Sequence, residues 1–119
     1  MPGRILIVES DERVRSAVCG ALQRHGIVGD ELNDSSEAVA AIRSRRYDIV
    51  LLEMPAGFAA LKTVRDDTDR PVIIALSDSE DDVRQLAGES AVTISINKDF
   101  AMDNMEPVIA AIAAVARMR

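Results

Sequence analysis

The chain is poor in cysteine, histidine and aromatic residues, and each shortage removes a class of function. Cys19 is the one cysteine in 119 residues, which excludes an intrachain disulfide and a multi-cysteine zinc site. It reads as a small buried or half-buried thiol and fits a reducing cytoplasm, the expected location. The lone His25 has no metal-ligating neighbour at a suitable spacing and reads as a helix-end histidine. There is no tryptophan, one tyrosine and two phenylalanines, so the core must be built from Val, Ile, Leu and Ala. Such residues suit parallel strands covered by helices on both faces. No stretch reaches the roughly 18 apolar residues of a membrane span. The apolar run after Met1-Pro2-Gly3-Arg4 is too short for a signal peptide. Glycine-rich phosphate loops are missing, which argues against a Rossmann or P-loop nucleotide site. Neither Ser10 nor Ser77 lies in a nucleophile-elbow context.

What is present points to one acidic α/β domain over residues 1–119. Twenty acidic against 14 basic residues leave a net charge of −6, a balance that disfavours direct contact with a nucleic-acid backbone. Arg43, Arg45 and Arg46 form a local basic cluster that reads as a solvated helix end.

Apolar runs alternate with helical periodicity. Ile5 to Val8 is a buried strand. Val14, Ala17, Val18, Ala21 and Leu22 then mark a helix that starts near Ser10 or Asp11 and ends at His25-Gly26. A weaker strand spans 27–32. Asp34-Ser35-Ser36-Glu37 reads as a capping box opening a helix to about Arg45. Tyr47 to Leu52 is the strongest central strand, Met54 to Gly57 a loop, and Phe58, Leu61 and Val64 a third helix. Val72 to Leu76 is a strand, and Ser79-Glu80-Asp81-Asp82 caps a short helix. A fifth strand over 91–96 precedes a last helix from about Asn104, with Pro107 tolerated in its first turn. Five such units predict a doubly wound parallel sheet with right-handed crossovers.

In a sheet of that kind the carboxyl ends of the strands converge on one crevice. Glu9-Ser10-Asp11, Glu53, Ser77 and Lys98-Asp99-Phe100 all stand at strand ends. Read in order, Ile-Leu-Ile-Val-Glu9-Ser10-Asp11, Tyr47-Asp48-Ile-Val-Leu-Leu-Glu53-Met54-Pro55, Ile-Ala-Leu-Ser77 and Lys98-Asp99-Phe100 resemble the receiver domain of two-component response regulators. The resemblance covers the whole chain and implies a flavodoxin-like (βα)5 fold. It also implies an acidic pair that holds Mg²⁺, an aspartate that accepts a phosphoryl group from a histidine kinase, and a hydroxyl and a lysine that bind its oxygens.

The match is partial at the pocket. Glu9 stands at the first acidic position, and Ser10 at the second, where a neutral hydroxyl is a poor Mg²⁺ ligand. Asp11 is expected to cap the helix instead. Glu53 stands at the phosphoacceptor position with its carboxylate one methylene too far out, and a misplacement near 1 Å can lower a rate on the order of a hundredfold. Ser77 and Lys98 match the hydroxyl and the lysine. Asp78 puts a repelling carboxylate beside them. Ser95 stands at the aromatic switch position. Asp99 replaces a proline, so the Lys98–Asp99 bond is expected trans, the cis form of such a bond costing about 3 kcal/mol. Pro55 comes two residues early. Lys98 is expected to pair with Glu53 or Glu9.

These departures predict a pseudo-receiver: a non-enzymatic signalling domain with no expected cofactor and doubtful Mg²⁺ binding. Two alternatives stand beside it, a working phosphoacceptor with unusual residues and a small-ligand, nucleotide-type sensor using the crevice. The expected partners are proteins: a kinase, an output domain beyond residue 119, or another regulator. Neither nucleic acid nor membrane is expected. The last helix lacks a polar stripe, so its outer face with the fifth strand is the expected contact or self-association surface. Val108 or Ile109, Ile112 and Val115 are expected on the sheet, and Ala110, Ala113 and Ala114 are the candidates for the open face.

Overall fold

The computed structural model describes residues 3–89 and 91–118. Five strands, β1 (Ile5–Val8), β2 (Asp30–Leu32), β3 (Ile49–Glu53), β4 (Val72–Ser77) and β5 (Ile94–Asn97), form one parallel sheet in the order β2-β1-β3-β4-β5. The helices are α1 (Glu12–Arg24), α2 (Ala38–Arg43), α3 (Phe58–Val64), α4 (Glu80–Leu86), α5 (Lys98–Asp103) and α6 (Met105–Arg117).

Alternation along the central strands splits the core in two. Ile5, Ile7, Ile49, Leu51 and Ile74 point to one face, where Val14, Val18 and Leu22 of α1 meet Ile109, Ile112, Ala113 and Ala116 of α6. Leu6, Val8, Val50, Leu52 and Ile73 point to the other, under Ile42 of α2, Leu61 and Val64 of α3 and Leu86 of α4. Helices on both faces are why β1, β3 and β4 are apolar along almost their whole length.

Local signals set most helix ends. Asp11 caps α1, its Oδ1 accepting from the Arg13 amide at 2.9 Å. Gly26 follows the helix at φ +76°, a conformation that glycine adopts without a Cβ penalty. Ser79 and Asp82 form a reciprocal capping box on α4. Asp82 is 4% exposed. Its Oδ2 also accepts the Asp78 amide at 2.7 Å and the Ser79 amide at 3.1 Å. Asp82→Ala should therefore destabilise by about 1–2 kcal/mol, read by urea unfolding, with faster hydrogen exchange at the Asp78 and Ser79 amides. An unchanged exchange rate at both would contradict the assignment.

Several boundaries differ from those read in the sequence. The second strand keeps only Asp30–Leu32; Ile27 enters the core ahead of it. Asp34 accepts from the Ser36 amide at 2.8 Å and caps a 3-10 turn over Ser35–Glu37 rather than an α-helix. α2 then ends at Arg43, with Arg45 at φ 62°. Tyr47 is not in β3; its hydroxyl donates to Asp30 Oδ2 at 2.6 Å and ties the entry of β3 to β2. The fifth strand begins at Ile94, not residue 91, because Ala91 turns into the core below α4. The last helix starts at Met105, as read, but a short helix absent from that reading, α5, precedes it, and the two meet at Asn104 (φ −131°, ψ 41°).

Candidate functional site

The chain leaves β1 for β2 on one side and returns to β3 on the other, so the crevice opens at the carboxyl ends of β1 and β3. Glu9 follows β1 and is wholly buried; Glu53 ends β3 and is 5% exposed. The N-terminal residue of α5, Lys98, reaches back between them. Its Nζ lies 3.0 Å from Glu9 Oε1, donates to Glu9 Oε2 at 3.2 Å, and sits 3.7 Å from Glu53 Oε2. The Glu9 Oε1 contact is an ion pair only, and that oxygen takes no hydrogen bond. Of the two expected partners of Lys98, Glu9 is the closer.

Glu53 Oε2 is held mainly by Ser10. It accepts the Ser10 hydroxyl at 2.9 Å and the Ser10 amide at 3.1 Å. Glu9 Oε2 also accepts the Asp11 amide at 3.1 Å. The Asp11 carboxylate itself turns to the α1 amides.

Electrostatics separate the two glutamates. Burial, then the adjoining Glu53 carboxyl, push Glu9 above the ordinary carboxylate range, against a smaller pull from the Asp11 amide and Lys98. Burial also works to raise Glu53. The Glu9 carboxyl and the two Ser10 donors outweigh it, with help from Lys98, and leave Glu53 below that range. Burial alone would lower Lys98, but Glu9, Glu53 and Asp78 together hold it above the usual lysine value.

The remaining positions read from the sequence are engaged elsewhere or exposed. Ser77 is fully buried, yet its hydroxyl donates to the Ile96 carbonyl of β5 at 3.3 Å. The Asp78 side chain is exposed. Ser95 is exposed on β5, opposite Ala75. The cis peptide bond among the described residues is Met54–Pro55, so Lys98–Asp99 is trans. Asn97 caps α5 by accepting the Phe100 amide at 3.0 Å, which aims Lys98 inward. No group of three or more His, Cys, Asp or Glu side chains suited to a metal ion occurs among the described residues.

Two contributors escaped the sequence reading. Arg15 donates from Nη1 to the Glu9 carbonyl at 2.8 Å while its Nε lies 3.3 Å from Glu31 Oε1, clamping the end of β1 to β2. Its signal was weak: a basic residue beside the apolar stripe of α1. Gly57 presses on the carboxyl end of β3, its amide donating to the Glu53 carbonyl at 2.9 Å. A loop glycine immediately before an apolar helical repeat offered no hint of that contact. Cys19 is half-buried, and burial, aided by Glu31, pushes its thiol up to about 12, which leaves it inert.

Residues 5–110 match the family model described as the response regulator receiver domain. Two curated relatives illustrate the likeness. The uncharacterized transcriptional regulatory protein YvcP of Bacillus subtilis (strain 168) is 31% identical over 96% of this chain and 48% of its own length. The phosphate regulon transcriptional regulatory protein PhoB of Escherichia coli (strain K12) is 29% identical over 98% of this chain and 53% of its own. The chain thus spans about half the length of these relatives. Among solved structures, response regulator protein TrrA of Thermotoga maritima, in complex with Mg(2+)-BeF, superposes with a TM-score of 0.72 at 25% identity. That match covers 91% of this chain and 96% of TrrA.

Proposed function

The chain belongs to the response regulator receiver domain family, and from that premise we propose that it is a pseudo-receiver, signalling through protein contacts without aspartyl-type phosphorylation. One observation carries the reading. The carboxylate at the phosphoacceptor position, Glu53, is engaged on Oε2 by both Ser10 donors, with the Lys98 ammonium 3.7 Å away. A nucleophile in that state is hydrogen-bonded in place and set one methylene off the line of attack. Lys98 supplies internally the cation that the family's pocket takes from Mg²⁺.

The donor set also does not fit Mg²⁺. That ion wants near-octahedral oxygen ligands. Here the Glu9 carboxylate is paired with Lys98, the Ser10 hydroxyl points its proton at Glu53, and Asp11 caps α1. The protein contact that replaces phosphotransfer is assigned to β5 and α6, with a kinase, an output domain, another regulator or a second copy as the candidate class. No helix among the described residues is long and apolar enough to cross a membrane.

Incubation with acetyl phosphate and Mg²⁺ should leave the intact mass unchanged. The amide signals of Glu9, Ser10 and Glu53 should stay in place through low-millimolar Mg²⁺. A gain of one phosphoryl group mapped to Glu53 would overturn the reading and favour a working phosphoacceptor. A nucleotide that raises the unfolding temperature would instead favour a ligand sensor.

A further inference from the structure

β2 stands at the outer edge of the sheet, with β1 on one side and no strand on the other. Its backbone is half used. The Glu9 amide donates to the Leu32 carbonyl at 3.0 Å, so Leu32 turns its main-chain groups toward β1. Main-chain groups alternate along a strand in a parallel ladder, so Glu31, one residue earlier, turns its N–H and C=O outward. Polar backbone left open at an edge is a template for a further strand.

The side chains around that edge are sorted by face. Asp30 and Leu32 stand opposite Leu6 and Val8 and share their face with α2. Glu31 stands opposite Ile7, on the α1 face, where it pairs with Arg15. On the α2 face a cavity of about 470 Å³ opens beside the strand. Leu6, Leu32, Ala40 and Ala41 give it an aliphatic floor, and Asp30 and Glu37, both exposed, put carboxylates on its rim. The cation at this cavity, Arg46, is spent on Tyr47. Its Nη2 donates to the phenol oxygen at 3.0 Å, and its guanidinium lies 5.5 Å from the ring centroid. Just before the strand, Val28 is 79% exposed, more open than any other large apolar side chain among the described residues.

We propose that the β2 edge takes up an extended segment of a protein partner as a sixth strand, with lysines at alternate positions seated over the cavity on the α2 face. Such a strand lies about 4.8 Å beyond β2. Its carbonyl accepts from the Glu31 amide and its amide donates to the Glu31 carbonyl. Every second side chain of it then faces Ala40 and Ala41. Lysine suits those places, because its stem lies on the aliphatic floor while its ammonium reaches Asp30 or Glu37. Charge decides against a second copy. Two β2 edges meeting about a two-fold axis would set Asp30 and Glu31 against their own equivalents, on chains that each carry a net charge of −6. The short charged edge that keeps copies of this chain apart attracts a basic strand. This surface lies at the opposite edge of the sheet from β5, so the inference stands independently of the contact assigned to β5 and α6.

The probes are two short synthetic peptides with blocked ends, one alternating lysine with valine and one alternating glutamate with valine. Each is titrated into the isotope-labelled chain at low and high salt. The lysine peptide should shift the amide signals of Val28, Glu31, Leu32 and Ala40 and slow hydrogen exchange at the Glu31 amide. It should bind about tenfold more tightly than the glutamate peptide at low salt, with the gap closing at high salt. N-methylation of one alternate set of amides in the lysine peptide, the set that faces β2, should abolish binding, and N-methylation of the other set should spare it. Glu37→Lys, at an exposed position, should weaken the lysine peptide about tenfold while amide signals of β3 and β4 stay put. Glu31→Pro removes the outward N–H, a change that edge strands tolerate, and should lose the binding. If that variant does not fold, the two N-methylated peptides still decide. Equal affinity for the lysine and glutamate peptides, equal binding by both N-methylated forms, shifts centred on β5 and α6, or no saturable shift would overturn the proposal. So would a dimer in sedimentation whose interface maps to β2.

Discussion

Lys98→Met should destabilise the fold by about 3–5 kcal/mol near neutral pH, because it strands buried carboxylates rather than merely deleting a pair. Lys98 is 14% exposed, Glu9 wholly buried and Glu53 nearly so, so water screens little of the loss. The dependence on pH follows from the directions of the shifts. The pKa of Lys98 is raised in the fold, so its stabilisation is present below its unfolded value and is lost as pH rises through the folded one. That of Glu53 is depressed, so its contribution is present above the unfolded value and lost as pH falls through the folded one. Glu9 is the opposite case: its raised pKa is a penalty that is felt above its unfolded value and fades as pH falls through the folded one.

Without Lys98 the Glu9 penalty grows, so the deficit of the variant should narrow on acidification from about pH 8 to about pH 5. Adding Glu9→Gln to Lys98→Met should recover much of the loss, since it removes the charge that was stranded. Urea unfolding across that pH range checks both points. A deficit under about 1 kcal/mol, the size of an exposed pair, or one that does not change with pH would show that the cluster is not the buried network described above.

Gly57→Ala should cost about 1–3 kcal/mol or more and should disturb the pocket with it. Gly57 has φ −77°, which any residue tolerates, so the effect is one of space. A Cβ would stand 2.5 Å from the Glu53 carbonyl oxygen and 2.6 Å from Leu52 Cγ. Neither neighbour yields easily. The carbonyl belongs to the last residue of β3, and Leu52 is fully buried in the core below α2 and α3. Relief must come from moving the loop or the end of β3, which carries Glu53 away from Ser10. Thermal unfolding should show the loss, and the amide signals of Ser10 and Glu53 should move. Gly88→Ala is the control: a Cβ there meets nothing within 4 Å, so it should be neutral or slightly stabilising through the unfolded chain. Similar stability for both variants, with the Ser10 signal unmoved, would refute the close approach.

What the sequence determined by itself is what neighbouring residues decide among themselves. The all-apolar runs at 5–8, 49–52 and 73–76 could only be strands buried on both faces, and they are. Asp11, Gly26 and the Ser79–Asp82 pair are local devices, each satisfying backbone groups within a few residues, so each was legible. The positions of Glu9, Ser10, Glu53, Ser77 and Lys98 at strand ends follow from the same alternation.

The tertiary structure decided what depends on distant partners. Asp34 to Glu37 has capping-box chemistry, but the first turn there is 3-10, with the Ser35 hydroxyl spent on the Ala56 carbonyl of the β3–α3 loop. Ala113 is no less apolar than Ala110 or Ala114, yet it is buried against the sheet while they face out. That choice follows from the helical phase after the break at Asn104. Ile109 takes the sheet-facing place with Ile112, whereas Val108 and Val115 end up only partly buried. Lys98 could reach either glutamate by the strand-end argument alone. Its preference for Glu9 follows from the Ser10 donors, which already hold Glu53, and from the start of α5, which sets where its side chain begins. Ser77 stands at the right strand end, but the register of β5 offers it the Ile96 carbonyl. Contacts that close across many residues depend on packing geometry, and no local pattern records it.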